Sequence, residues 1–543
     1  MNQLLIFNAK IRSMDLSRPM AEAILLDGEH VRAFGSLADC EAATTPGVRR
    51  LNARGRLVLP AFQDAHIHLL HGGLGLATSA QLYAARSVPE LQNMVAGHAA
   101  RAAHLPLVTG SGWQPGVFGD HNLTAAVIDA VVADRPAILY DSSFHNACLN
   151  STAMAMAGLV RGTADPVNGH FVLDATGAPT GMLHEDAIPW ALKGLPEWSD
   201  AVWREGLLAG QAHANAHGIT GVIDPRVEDL EARIYGAAAD AGELSLRVCG
   251  AALVKEHDTP AEAVARLVAM RERHRGPDFW VQSAKFFMDG VFENRTAALL
   301  APYADAIGGN CPTMFTPEQT RTLFVALDAA RFQIHTHVIG DAAARVTLDG
   351  LTAAQAANGR WPALHQLAHL QLTDPADIPR LAALGAMANI QPLWARHDRG
   401  IPDPAKPMAG EARLANIYAF RRMLAAGAGW CLSSDWPVST LNPFEIMETA
   451  ITRQAQLAED PLEPFLPEEA LTIEECVLGY TAHAAAACWR GDTTGRLLPG
   501  FSADLIMLDQ DIFTCAAQDI SNTNVLMTLF KGREVHRHAR FED

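Results

Sequence analysis

Residues 57–70, LVLPAFQDAHIHLL, carry two imidazoles, His66 and His68, at the end of an apolar run. Side chains alternate faces along a strand with period two, so an H-x-H pair can send both rings to one side and grip one metal ion. Imidazole nitrogen and carboxylate oxygen are ligand types that suit Zn²⁺, and a catalytic zinc keeps one position open for water. Such a pair is also compatible with two satisfied polar residues at a strand end, because a chain with 22 histidines produces it by chance. What strengthens the metal reading is that Lys285, His337, His369 and Asp435 each follow another short apolar run.

Those runs must be positioned by a common scaffold. Candidate strands fall at 57–65, 218–224, 246–253, 281–288, 332–338, 364–370, 385–391 and 428–434, with helical stretches between them. Alternating strands and helices argue for a parallel sheet wrapped by helices, and eight of them suggest a (β/α)8 TIM barrel over 57–494. In that fold chemistry sits at the C-terminal ends of the strands, where all six residues fall. The two ends of the chain read differently. Short alternating runs broken by Asp27-Gly28 near the start, and ADLIMLDQDIF and VLMTLFKGREVH near the end, suggest one small β-sandwich domain built from 1–56 and 495–543. Residues 70–215 are too long for a structureless connection, so they are expected to form an inserted subdomain after the first strand, supplying a lid or substrate pocket at the barrel mouth.

Composition narrows the function classes. A length of 543 residues, 49% hydrophobic and 19% charged, fits a globular enzyme with a large barrel and a smaller domain. A formal net charge of −18 argues against a nucleic-acid surface, which needs clustered Lys and Arg. The N-terminus lacks a basic leader with an apolar core and no apolar run is long enough to span a bilayer, so no membrane association and a cytoplasmic location are expected. The 8 cysteines lack C-x-x-C spacing and read as buried small hydrophobes. A homodimer is only the default expectation.

Several ordered motifs together resemble the amidohydrolase superfamily, and within it amidohydrolase family 3, the YtcJ-like group that includes N-substituted formamide deformylases. They are LPAFQDAHIHL (59–69), GSGW (110–113), FHNACLNSTAM (144–154), PTGMLHEDA (179–187), AKFFMDG (284–290), HVIGDAA (337–343), AHLQL (368–372), SSDWPV (433–438) and PGFSADLIMLDQD (499–511). The resemblance covers nearly the whole chain. It implies a metal-bearing barrel with a terminal β domain and an insertion after the first strand, as the patterning also suggests.

His66, His68, His337, His369 and Asp435 form the expected metal set, holding one or two Zn²⁺ ions whose bound water would have a pKa near about 7. The resemblance points to Lys285 as a CO₂-carboxylated bridge between two ions; an ordinary Lys paired with a carboxylate is the alternative. Asp435 is expected to take the proton of the attacking water and pass it to the leaving nitrogen. His145 resembles a family position facing the site, where it would polarise the substrate carbonyl, and a structural His is the alternative. Trp113 is expected to line the substrate pocket, with a core role as the alternative. Asp341 reads as a helix N-cap or a residue orienting His337. His71, His184, His335 and His397 are assigned to structure or surface, since the His-x-x-Gly-Asp motif selects His337 over His335.

The expected function is metal-dependent hydrolysis of a C–N bond in a small, apolar or aromatic N-acyl or N-formyl amide. A mononuclear zinc deaminase or cyclic-amide hydrolase is the second reading, and a non-catalytic sensor retaining the fold is the third.

Overall fold

The computed structural model describes residues 3–118, 122–141, 146–166, 169–292, 295–397, 405–455 and 462–541. Contacts divide the chain into two compact units, one of residues 1–69 with 211–543 and one of residues 70–210.

The first unit contains the barrel. Its eight strands, in order, are Phe62–Asp64, Ile219–Val227, Arg247–Leu253, Phe279–Phe287, Gln333–Val338, Gln366–His369, Met387–Ile390 and Gly429–Leu432. Each pairs in parallel with the next, giving one sheet in sequence order. The strands are nearly all buried, as expected of a parallel sheet covered by helices. Capping fixes where several helices begin. Thr259 and Thr316 form capping boxes with Glu262 and Gln319, each with a proline in the first turn, and so start Pro260–Arg273 and Pro317–Ala329 after the third and fourth strands.

The predicted strand 57–65 divides in two. Leu57–Pro60 pairs antiparallel with Leu505–Leu508 in a six-stranded sheet, whereas Phe62–Asp64 enters the barrel. Proline at 60 has no N–H to continue a ladder. The chain turns there, and Ala61 N and Phe62 N bond to the carbonyls of Asp504 and Gly218 respectively. The six-stranded sheet also takes Lys10–Arg12, Met20–Ala21, Val525–Phe530 and Arg533–Arg537, so both ends of the chain contribute strands. It shares a core with a four-stranded sheet of His30–Gly35, Ala23–Asp27, Gln3–Phe7 and Arg49–Asn52, through Ile6, Ile24, Leu26, Val58, Met507 and Leu529.

The second unit has its own six-stranded mixed sheet, ordered Gly169–Leu173, Pro179–Glu185, Asn146–Leu149, Ala137–Asp141, Val108–Trp113 and Ser79–Gln81. Apolar clusters of its own, around Leu91, Val95 and Leu139 and around Ile138, Phe171 and Leu183, account for its compactness. Among the described residues no helix is long and apolar enough to cross a membrane.

Candidate metal centre

Just beyond their ends the first and eighth strands are joined by backbone hydrogen bonds, Ala65 N to the Leu432 carbonyl among them, and candidate ligands gather at that seam. His66 and His68 lie just beyond the first strand, His66 in a bend and His68 in irregular chain before the next helix, not within the strand. Asp435 N donates to the His66 carbonyl at 2.8 Å, and His68 N donates to the Trp436 carbonyl at 2.9 Å. Asp64, buried at the end of the first strand, accepts from His66 N at 3.1 Å and from Ser434 N at 3.2 Å through one carboxylate oxygen. These backbone bonds bring the two imidazoles onto one carboxylate. Asp435 Oδ1 is 3.3 Å from His68 Nε2 and 3.5 Å from His66 Nε2.

The fifth and sixth strands deliver the other two histidines. His337 Nε2 donates to the Gly290 carbonyl at 3.2 Å, which fixes the ring and turns Nδ1 into the free nitrogen. His369 ends its strand in the left-handed region, φ 77°, and its ring centroid is 4.4 Å from that of His337 and 5.1 Å from that of His66. Asp435 is also left-handed, at φ 56°. Strained backbone of this kind persists where surrounding structure over-determines it, and it concentrates at functional sites. Lys285, on the fourth strand, is fully buried, with Nζ 4.5 Å from the centroid of the Phe287 ring.

This donor set fits a cation. Buried polar atoms in folded proteins nearly always have hydrogen-bond partners. Here Lys285 Nζ, Asp435 Oδ1 and Asp64 Oδ2 have none among the described residues. Ligand atoms of His66, His369 and Asp435 lie within 4.8 Å of one another. Donors bound tetrahedrally at about 2.0–2.1 Å stand roughly 3.3–3.4 Å apart, close to the spacings around Asp435. Protonation points the same way. Burial, reinforced by the charge of Lys285, holds His66 well below the ordinary imidazole range and brings His337 down to about 3, leaving both neutral with a lone pair to offer. His369 is lowered likewise, by burial and then by His337. Burial also brings Lys285 down to about 7, against the opposing pull of Asp435 and Asp224, so a substantial neutral fraction exists near neutrality.

Residues 49–536 match the amidohydrolase family. The chain belongs to that family. It is 28% identical to the N-substituted formamide deformylase of Arthrobacter pascens, over 98% of each chain. It is 27% identical to the protein LONG AFTER FAR-RED 3 of Arabidopsis thaliana, over 98% of this chain and 91% of that one. In fold it is similar to the crystal structure of an uncharacterized metal-dependent hydrolase from Pyrococcus horikoshii, with a TM-score of 0.78 and 22% identity over 95% of this chain and 99% of that one.

In this amidohydrolase the six expected ligand residues all lie at the C-terminal ends of barrel strands, His66, His369 and Asp435 as one tight group. Other expectations need correction. Trp113 is 2% exposed, its indole N–H bonded to the Leu139 carbonyl at 3.1 Å and its ring edge-on to Phe118, so the core of the second unit uses the whole side chain. Asp341 does not cap its helix: Gly340 is the N-cap, and Asp341 accepts from Leu300 N at 2.8 Å. The backbone after His337 is instead held by buried Asp289, which accepts from Ile339 N, Gly340 N and Ala298 N. His145 lies outside the described residues. Asp64 and Asp289 were not singled out in the sequence, although each ends or follows an apolar strand, the position that marked the others. His335 was assigned to structure or surface. It is fully buried, with Nε2 2.9 Å from His66 Nδ1.

Proposed function

We propose that this amidohydrolase uses one or two zinc ions to hydrolyse a C–N bond in a small N-acyl or N-formyl amide bearing apolar or aromatic groups. The observation that carries the reading is the convergence of neutral imidazoles and a carboxylate, with buried atoms lacking partners, at the barrel seam. Similarity to the N-substituted formamide deformylase of Arthrobacter pascens supports the choice of an N-substituted amide. His66, His68, His337, His369 and Asp435 would hold the metal, which supplies the Lewis acidity that makes water a nucleophile near neutral pH. Asp435 accepts the proton of that water and returns it to the departing nitrogen, the base-then-acid sequence amide cleavage requires. Lys285, brought down by burial to about 7 and so partly neutral near neutral pH, is placed to add CO₂ through Nζ, releasing a proton and becoming an anionic carbamate ligand. Phe287 and Trp394 sit against this group, Phe287 beside Lys285 and His337, and Trp394 stacked on His369 at 5.7 Å.

A second reading, a single-zinc deaminase or cyclic-amide hydrolase, is favoured by the compact trio of His66, His369 and Asp435, which is the size of a site for one ion. A screen of N-formyl and N-acyl amines against amino-heterocycles separates the two. Carboxylate and amine products support the first reading, ammonia release from heterocycles supports the second, and no turnover by metal-loaded protein overturns both.

A further inference from the structure

His335 stands one strand position pair before His337, so alternation along the fifth strand turns both side chains into the barrel. It lies directly opposite Lys285 across the neighbouring strand. Its ring is completely buried and 4.9 Å from that of His66 between centroids, and its Nε2 is 2.9 Å from His66 Nδ1. The other His66 nitrogen, Nε2, faces Asp435. The two nitrogens of His66 are therefore divided between two partners, one on the ligand side and one on the barrel side.

That division sets a condition on protons. A neutral imidazole carries one N–H and one lone pair. For His66 to offer its Nε2 lone pair beside Asp435, the N–H must be on Nδ1, and most buried N–H groups are paired with an acceptor. Metal-ligating histidines commonly find one in a carboxylate or a backbone carbonyl, as His337 does with Gly290. Among the described residues His335 Nε2 is the hydrogen-bond partner recorded for His66 Nδ1. If the proton sat on His335 Nε2 instead, His66 would present an N–H toward Asp435 and could not ligate through that atom.

We propose that His335 is a positioning residue that accepts the Nδ1 proton of His66, fixing the tautomer in which His66 Nε2 can bind metal. His335 then keeps its own proton on Nδ1, a buried atom with no hydrogen-bond partner among the described residues, so the arrangement leaves one buried N–H unpaired, and it acts on metal affinity through His66. This rests on the metal reading above and adds to it a role for a histidine outside the ligand motif.

The test compares His335→Gln, whose amide oxygen can still accept, with His335→Leu, which fills space without an acceptor. Zinc affinity of each is measured by competition with a chromophoric chelator, alongside the melting temperature of the metal-free protein. Loss of an orienting partner of this kind typically costs about 10–100-fold in metal affinity. His335→Leu should fall by that factor while His335→Gln stays within a few-fold of wild type. Equal affinity in wild type and His335→Leu overturns the inference, as does an equal loss in both variants. If neither variant folds, long-range ¹H–¹⁵N spectra of zinc-loaded wild type with labelled histidine decide it: a proton on His66 Nδ1 supports the proposal, and one on His335 Nε2 overturns it. Wild-type protein that takes up no divalent ion removes the metal reading itself, whereas binding that ignores His335 removes only this inference.

Discussion

Asp435 carries the proton chemistry of the proposed reaction, and its neighbours define what a substitution there should do. Asparagine preserves the shape and one oxygen for the metal but cannot accept a proton. A positioned general base contributes about 10²–10⁴-fold to rate, so kcat of Asp435→Asn should drop by that order at equal metal occupancy while the fold is retained. Turnover within a few-fold of wild type would mean another group is the base. Lys285 makes a separate claim. Lys285→Ala should empty at least one metal position, and short carboxylic acids should restore part of the activity by replacing the carbamate. Electron density showing an unmodified amine beside a fully occupied site would exclude the carbamate. At this scale the sequence was informative because ligand types and ordered motifs are local. His66 and Asp435 could be picked out before any contact between them was known. His335 could not: two histidines in QIHTHV alternate onto one side, and only the 2.9 Å approach to His66 Nδ1 shows that the first of them is engaged as well.

Elements, more than single residues, bring His66 and Asp435 together, because they are far apart in sequence and meet only when the first and eighth strands close the barrel. Asp64 ties that closure, receiving the backbone N–H groups of His66 and Ser434. Asp64→Ala would leave two buried donors unpaired, each costing about 1–3 kcal/mol. Calorimetry and elemental analysis of Asp64→Ala should therefore show melting temperature and metal content falling together, with Asp64→Asn, which keeps an acceptor, closer to wild type. Unchanged metal content in a destabilised Asp64→Ala protein would separate the seam from the site. The strands themselves were legible, since buried parallel strands read as continuous apolar runs. Their limits were less so. Nothing in LVLPAFQD except Pro60 signals that the chain leaves one sheet and enters another, because apolar residues face a core in both.

For the whole molecule, the length of residues 70–215 after the first strand was the signal for an inserted subdomain, and in the structure residues 70–210 are a compact unit with its own sheet. What each aromatic does inside such a unit is set by tertiary packing, which sequence does not display. Trp113 illustrates this: the GSGW motif was compatible with a pocket wall or a core, and the structure commits it to the core. Trp113→Ala should accordingly destabilise that unit by about 3–5 kcal/mol, the range for removing a large buried aromatic. Limited proteolysis should then cut within 70–210 at lower temperature than in wild type, and unchanged resistance would argue against the core role.

The central claim, a metal-dependent hydrolytic site at the barrel seam, is tested most directly by elemental analysis of protein expressed with abundant metal, coupled to an amide-turnover assay before and after chelation. The account predicts one to two zinc ions per chain, loss of turnover on chelation and its return when zinc is restored. Protein with no stoichiometric metal, or turnover that survives complete removal of the ion, would contradict it.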